Sequence, residues 1–97
     1  MKFRIAPSAR HDLREIAAYI ALDNPDRAEP YIKELGDKIR AVAQQPLIYP
    51  ARDSWKQGLR SAPHGRYHIV FRSDGDCVEF LRVLHGARDI TGLLGGD

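Results

Sequence analysis

Two apolar stripes joined by an Asn-Pro dipeptide most constrain what this chain can fold into. The first stripe comprises Ala9, Leu13, Ile16, Ala17 and Ile20, and the second comprises Ala28, Ile32, Leu35, Ile39 and Val42. Steps of three and four residues place each set mainly on one face of a helix. Because the residue before a proline avoids the helical region, Asn24-Pro25 ends the first helix and can begin the second. So short a link predicts an antiparallel helical hairpin.

The ends of the two helices can be placed from local signals. Ser8 is expected to cap the first helix, and Asn24 the second, which should end before Pro46. Pro30 lies in the opening turns of the second helix and has no backbone N–H. We therefore expect either a kink at Pro30 or a later start of that helix.

The remaining segments have the patterns of β-strands. Residues 2–5 form a short alternating run with Phe3 and Ile5 inward, and further strands are expected over 58–62, 66–72 and 77–84. Turns are expected at 63–65 and 73–76. The resulting β-α-α-β-β-β order predicts an α+β fold, in which the helical hairpin packs on one face of a small, mainly antiparallel twisted sheet. Residues 46–57 form a long connection that either packs under Ile48, Tyr49 and Trp55 or is functional.

Composition excludes several classes of protein. A chain of 97 residues with 43% hydrophobic content predicts one globular domain over 1–97. No apolar run approaches the ~20 residues of a membrane span, and no secretory signal is recognisable, so we expect a cytoplasmic protein. The net charge of +2 is divided evenly between the two halves. This distribution gives no strong signal for direct nucleic-acid binding.

Metal, cofactor and nucleophilic chemistry find little support. The four histidines (His11, His64, His68 and His85) are scattered and lack the spacing of a ligand set. Cys77 begins an apolar strand, where a free cysteine is usually a small core residue. We therefore expect neither a metal site nor a cofactor.

Acid–base cleavage of RNA is the one enzymatic activity that the residues allow. It would need a group to accept the 2′-hydroxyl proton and cations to hold the phosphate. Arg60, Arg82, His85 and Arg88 would supply these groups if the short strand and the last strand ran side by side. Alternatively, Arg60 and Arg82 only solvate one sheet face, and Asp89 pairs with Arg88.

Protein binding is the other possibility. Tyr19, Leu22 and Tyr31 are apolar or aromatic residues off the main stripes, and Ile48 and Tyr49 lie in the following loop. An apolar patch rimmed by charge commonly marks a protein interface. The alternative is the scattered apolar exposure found on any soluble protein.

Several motifs together make the chain resemble a ParE-type toxin of the RelE/ParE toxin–antitoxin superfamily. They are the Asp12-Leu13-x-x-Ile16-x-x-Tyr19 helix, the Asn24-Pro25 link, Gly58-Leu59-Arg60-Ser61, Tyr67-x-Ile69-x-Phe71-Arg72, and the run from Arg82 to Asp89. The likeness extends in order over residues 3–91. It implies the same β-α-α-β-β-β fold.

The resemblance also implies a function. ParE-type toxins inhibit DNA gyrase and are neutralised by a ParD-like antitoxin encoded beside them, often stabilising plasmids or chromosomal segments. RelE-like relatives on the same fold instead cut mRNA on the ribosome. They use lysines and arginines on the sheet, and commonly a Tyr or His near the C-terminus. A third possibility is a non-toxic relative that only binds an antitoxin.

The sequence favours gyrase inhibition, by a binding protein and not an enzyme. No tyrosine or histidine follows Arg88, and the region before the short strand has Lys56 but no lysine pair. A nuclease would lack its proton shuttle unless His85 or Tyr67 substituted. The residues expected to face the target, which are also the catalytic candidates of the nuclease alternative, are Arg60, Arg82, His85 and Arg88. Those expected to contact the antitoxin are Tyr19, Leu22, Tyr31 and Leu35.

Overall fold

The structure, a computed structural model, describes residues 2–86. Its elements are β1 (Lys2–Ile5), α1 (Pro7–Asp23), α2 (Pro25–Gln44), a 3-10 turn (Pro46–Ile48), β2 (Arg60–His64), β3 (Tyr67–Asp74) and β4 (Cys77–His85). This order confirms the predicted β-α-α-β-β-β arrangement. Arg88 and Asp89 lie outside the described residues.

The four strands form one sheet in the order β1-β4-β3-β2. The pairs β2–β3 and β3–β4 are antiparallel, whereas β1 lies parallel to β4. The sheet is therefore mainly antiparallel, as predicted. Because β3 lies between β2 and β4, the short strand and the last strand do not run side by side.

A β-bulge interrupts the β3–β4 pairing at Leu81. Val70 is opposite Arg82, but the next residue, Phe71, is opposite Phe80, so Leu81 is extra on β4. A bulge bends the strand and re-aims the side chains beside it. The Leu81 carbonyl accepts a hydrogen bond of 2.8 Å from the Ser8 hydroxyl. This contact ties the first turn of α1 to the bulge.

The start of α1 corrects the predicted cap. The helix begins at Pro7 with Ala6 in the N-cap position, and no side chain caps it. Ser8 lies one residue inside the helix, where its hydroxyl serves the Leu81 carbonyl instead. Proline suits the first helical position because its missing N–H would have no partner there.

Pro30 does not delay the start of the second helix. It follows Asn24 directly and runs unbroken through Pro30 to Gln44, so the predicted later start is wrong, whereas the end before Pro46 is confirmed. Pro30 removes only the bond to the Asp26 carbonyl in the first turn of the helix. Asp26 is exposed, so water can reach this carbonyl.

The main core lies between the helical hairpin and one face of the sheet. Its buried members are Ile16, Leu35, Ile39, Val42, Ala43, Ala62, Ile69, Phe71, Val78, Phe80 and Val83. Phe71 and Phe80 are fully buried side by side, with ring centroids 5.7 Å apart. Each contributes about 1.5–3 kcal/mol through burial. Phe3 contacts Phe80 edge-on but remains 39% exposed on the outer strand, so it is only partly inward.

The loop before β2 covers the opposite face of the sheet. Leu59, Val70 and Leu84 form a second buried cluster there, with Trp55 and Leu81 packed against it. The predicted packing role of this loop therefore holds for Trp55, while Tyr49 joins the main core. No helix among residues 2–86 is both long and apolar enough to cross a membrane.

The turn between β2 and β3 lies two residues later than predicted. Pro63 and His64 belong to β2, and the chain reverses at Gly65-Arg66. Proline is tolerated in β2 because it is an edge strand. Gly65 has φ +58°, a conformation that side chains other than glycine rarely adopt. This turn brings β3 back beneath the hairpin.

Candidate partner-binding groove

A groove of about 510 Å³ lies between α1 and the ends of β3 and β4. We call it the α1 groove; its lining residues are Asp12, Glu15, Ile16, Tyr19, Arg66, Tyr67, Val83 and His85. Tyr19 lies at the rim of the groove, three residues after the buried stripe residue Ile16, and is 71% exposed. The groove thus combines apolar, aromatic and charged side chains on neighbouring elements. Pockets of this composition suit a protein segment.

A row of aromatic rings continues from the groove across the end of the sheet. Tyr67 is the register partner of both His64 and His85. Its ring lies edge-on to His85 at 5.5 Å and contacts Tyr31 of α2 at 6.1 Å, and Tyr31 in turn contacts His64 at 5.7 Å. The Arg27 guanidinium lies 5.1 Å from the centre of the Tyr31 ring. This aromatic row links β4, β3, α2 and β2 in one surface.

The two tyrosines of the row are not poised as bases. Burial raises the pKa of Tyr31 and of Tyr67 above the usual value for a phenol. Both hydroxyls therefore remain protonated near neutral pH and act as hydrogen-bond donors or acceptors. For Tyr67, the possible substitute proton shuttle, this supports binding over proton abstraction.

A contact between Glu34 and His64 joins α2 to the end of β2 beside the row. Arg27 Nη1 donates to Glu34 Oε2 at 2.7 Å, and the other Glu34 oxygen lies 4.0 Å from His64 Nε2. The hydrogen bond from Arg27 lowers the pKa of Glu34. Gly65 belongs to the same contact, since a Cβ there would lie 3.0 Å from the Tyr31 hydroxyl oxygen. The turn is therefore seated closely against α2.

Arg82 holds α1 to the central strand. Its Nε and Nη2 donate to the two Asp12 carboxylate oxygens at 2.8 and 3.0 Å, and the Val83 backbone N–H donates to the same carboxylate at 2.9 Å. Asp12 is only 5% exposed. The hydrogen bond to Asp12 raises the pKa of Arg82 further, so Arg82 stays positively charged. Arg82 thus has a structural partner on the helix.

Asp12 is the functional-site residue that the sequence analysis missed as a contact. The signal was present: Asp12 lies three residues after Ala9 and four before Ile16, directly on the apolar stripe. A lone carboxylate on such a stripe needs a partner when it is buried. Arg82, the one cation within the apolar run of β4, was the matching candidate.

The described members of the predicted arginine–histidine cluster do not converge. Arg60 is opposite Phe71 on β3, and its Nη1 donates to the Tyr49 carbonyl at 2.6 Å. His85, on the other neighbouring strand, is opposite Tyr67, which lies four residues before Phe71 on β3. Two strand spacings across the sheet and the rise of four residues along it place the Cα atoms of Arg60 and His85 roughly 16 Å apart. Arg60 and His85 therefore do not form the predicted cluster, and Arg88 lies outside the described residues.

Three of the four predicted antitoxin contacts lie on one surface. Tyr19 and Leu22 are 71% and 86% exposed near the end of α1, and Tyr31 is half-buried in the aromatic row. Leu35 is fully buried in the main core, so its predicted contact is wrong. The reason is its position on the apolar stripe of α2, which faces the sheet. Tyr19 and Leu22 line one shallow groove and Tyr31 lines a second, and the two grooves share Ile20 and Arg27.

Within residues 2–86, no group of three or more His, Cys, Asp or Glu side chains is placed to hold a metal ion. The described surface instead consists of an aromatic groove beside a structural ion pair. Together with the helical hairpin on a four-stranded sheet, it defines a small α+β domain with a groove beside its first helix.

Comparisons with known proteins identify the family. Residues 3–90 match the family model described as "ParE toxin of type II toxin-antitoxin system, parDE". The chain is 30% identical over 92 residues to Toxin ParE1 of Mycobacterium tuberculosis (strain CDC 1551 / Oshkosh), covering 92% of this chain and 93% of that protein. It is also 30% identical over 94 residues to Toxin ParE1 of Caulobacter vibrioides, covering 96% and 97%. The chain therefore belongs to the ParE toxin family of type II toxin–antitoxin systems.

Solved structures agree with this fold. The chromosomal ParDE toxin–antitoxin system from P. aeruginosa matches with a TM-score of 0.79 at 19% identity, covering 88% of this chain and 95% of that one. A chain of the toxin–antitoxin complex RelBE2 from Mycobacterium tuberculosis matches with a TM-score of 0.56 at 26% identity, covering 87% and 95%. The expected resemblance to the RelE/ParE fold is confirmed.

Proposed function

We propose that this chain is a toxin that inhibits DNA gyrase in the cytoplasm and is neutralised by a ParD-like antitoxin. Membership of the ParE family supports the toxin role. The separation of Arg60 from His85, with Arg82 engaged by Asp12, is the observation that favours inhibition by binding over RNA cleavage. A binding toxin needs surfaces, and it does not need general acid–base groups around one phosphate.

The antitoxin occupies the surface formed by Tyr19, Leu22 and Tyr31. The first two side chains are exposed on α1, and the third leads into the aromatic row. An initially disordered antitoxin segment folds along the hairpin and places apolar residues against them, as coupled folding and binding allows. The two solved relatives named above come from a ParDE system and a RelBE2 complex, which supports a partner of this kind.

We assign the target contacts to Arg60, His85 and Arg88. Arg82 holds the strand end in place through its ion pair with Asp12. His85 lines the α1 groove, so an antitoxin seated there covers this part of the target surface. Neutralisation then follows from overlap at the strand end. Gly86, whose N–H donates to the Arg66 carbonyl at 2.8 Å, keeps the strand end close to the β2–β3 turn.

The test is plasmid supercoiling by purified gyrase with increasing amounts of this protein. We expect lost supercoiling or accumulated cleaved plasmid, reversed by the cognate antitoxin. Gyrase activity that the protein leaves unchanged would contradict the proposal. Cleavage of mRNA on ribosomes in a parallel assay would then support the nuclease alternative, and no effect in either assay would support a non-toxic antitoxin-binding relative.

A further inference from the structure

A second exposed apolar patch lies at the other end of the helical hairpin. Leu47 and Ile48, in the 3-10 turn after α2, are each 68% exposed. Leu22 stands beside the start of α2, and the patch follows its end. The 20 residues of α2 separate the two sites by about 30 Å. A partner therefore contacts both Leu22 and the Leu47–Ile48 patch only if it extends along nearly the whole length of α2.

The backbone that presents the patch is held firmly from below. Pro46 is buried, and Tyr49 packs edge-on against Phe71 of the core with ring centroids 6.1 Å apart. The Tyr49 carbonyl accepts the 2.6 Å hydrogen bond from Arg60. Leu47 and Ile48 thus project from a segment anchored on both sides. A preorganised pair of apolar side chains loses little entropy when a partner covers it.

Two cations lie beside the segment that carries the patch. Lys38 Nζ lies 5.3 Å from the centre of the Tyr49 ring, and Arg60 contacts the same residue from β2. Residues 38–60 contain five basic residues and one acidic residue, Asp53. At least one of the five, Arg40, is paired with Asp37 of the same helix. The patch is therefore an apolar pair whose basic rim is formed by Lys38 and Arg60, which fits an acidic protein surface that has an apolar recess.

We propose that the Leu47–Ile48 patch is a docking site for an acidic surface of the toxin's target and that the antitoxin leaves it uncovered. This inference rests on the proposed gyrase function and assigns part of the target contact. It also explains why Arg60 lies so far from His85: Arg60 belongs to the basic rim of the patch, whereas His85 belongs to the α1 groove. The target contacts Arg60 and His85, and the antitoxin competes with it at His85.

The test compares two double variants with wild-type protein in the gyrase supercoiling assay. L47S/I48S removes both apolar side chains without adding charge, and Q44S/Q45S is the matched control on neighbouring exposed residues. We expect L47S/I48S to need at least about tenfold more protein for half-inhibition, and the control to match wild type. Antitoxin affinity and the melting temperature should stay the same for both variants, because all four side chains are exposed.

The outcomes separate this inference from the proposed function. If wild-type protein inhibits gyrase and L47S/I48S does so equally well, the docking site is refuted while the function stands. Lost antitoxin binding in L47S/I48S, with unchanged melting, would also overturn the inference, since the patch would then serve the antitoxin. Wild-type protein without effect on gyrase would overturn the function and this assignment of the target together.

Discussion

The two ends of the helical hairpin differ in charge and in shape. At the end where α1 turns into α2, residues 19–34 carry four acidic and two basic side chains, and Tyr19 and Tyr31 connect this end to the α1 groove and the aromatic row. At the end where α2 runs into the sheet, residues 38–60 carry five basic and one acidic side chain, and Leu47 and Ile48 project outward. A concave, mixed-charge site suits an extended segment that folds on binding. A small convex site with a basic rim suits a folded acidic partner.

The difference teaches that exposed apolar residues on one small domain need not belong to one interface. Leu22 is 86% exposed and Leu47 68%, so exposure alone does not distinguish them. What distinguishes them is the structure around each: ion pairs and aromatic rings at the first site, and a cation-flanked turn at the second. Variants that act on one end only are therefore the way to test the comparison.

The largest effect is expected from Asp12→Ala, which breaks the attachment of α1 to β4 on which the α1 groove depends. The change leaves the Arg82 guanidinium and the Val83 N–H without their carboxylate. Removing one partner of such a pair costs about 3 kcal/mol, equivalent to a melting temperature lowered by more than about 10 °C. Thermal unfolding followed by circular dichroism measures it.

Glu15→Ala is the matched control for that change. Glu15 lies one turn further along α1 at the edge of the α1 groove, with its side chain 65% exposed and His11 at 3.6 Å. An exposed pair of this kind contributes little, so we expect a shift within about 0.5 kcal/mol. Equal destabilisation by both changes would refute the structural role of Asp12.

The next largest effect is expected from Y19E/L22E on antitoxin binding. Two carboxylates replace the exposed apolar surface of α1 and must lose water when the antitoxin covers them. We expect the dissociation constant to rise at least about 30-fold by isothermal titration calorimetry. Ala41→Glu adds a carboxylate to the exposed side of α2 near its other end and serves as the control. Unchanged affinity in Y19E/L22E would place the antitoxin elsewhere.

A smaller effect sharpens the role of the β2–β3 turn. Gly65→Ala and Gly75→Ala both place a side chain at positive φ, +58° and +64°, which costs about 1–2 kcal/mol. Only at Gly65 does the new Cβ meet the Tyr31 hydroxyl, at 3.0 Å, whereas nothing lies within 4 Å at Gly75. We expect similar losses of stability in denaturant unfolding, somewhat larger for Gly65→Ala. Only Gly65→Ala should weaken the antitoxin complex, and equal binding by both would remove the turn from the interface.

The smallest effect concerns pH and the opposite face of the sheet. Burial, and secondarily Arg52, lowers the pKa of His68, whose Nδ1 lies 3.2 Å from the Ser61 hydroxyl. In the unfolded chain this pKa is about 6.5, so just below that pH the unfolded chain binds more protons than the folded protein. Stability should therefore fall as the pH drops below that value and level off once the folded form is also protonated. His68→Gln should flatten this pH dependence of the melting temperature, whereas His11→Gln on exposed α1 should not.

The hairpin could be predicted from the sequence because local spacing determines it. Both stripes and the Asn24-Pro25 link are patterns of residues close together in the sequence. The helix bounds differ from expectation mainly at Ser8, whose hydroxyl donates to the Leu81 carbonyl at the bulge, and at Pro30, which the second helix tolerates. Leu35 shows a conflict that was visible in the sequence. Its spacing places it on the apolar stripe, yet it is also one of the predicted antitoxin contacts. Its complete burial agrees with the stripe and not with an antitoxin contact.

The strand order could not be predicted in the same way. It depends on β1 pairing with β4 across more than 70 residues, and this pairing leaves β3 between Arg60 and His85. No local pattern encodes such a pairing. The bulge at Leu81, which lies beside Arg82, is likewise a property of the assembled sheet. The site residues were therefore largely identified by type, but their grouping required the fold.

The central claim is that this protein inhibits gyrase and that the antitoxin neutralises it by binding Tyr19 and Leu22. The most direct test is to measure inhibition of gyrase by Y19E/L22E in the presence of antitoxin. At an antitoxin concentration that just restores full supercoiling with wild-type protein, we expect the variant still to inhibit gyrase, since the antitoxin no longer holds it. Restoration of supercoiling at the same antitoxin concentration for both proteins would contradict control through Tyr19 and Leu22. Failure of the wild-type protein to inhibit gyrase at all would contradict the proposed target itself.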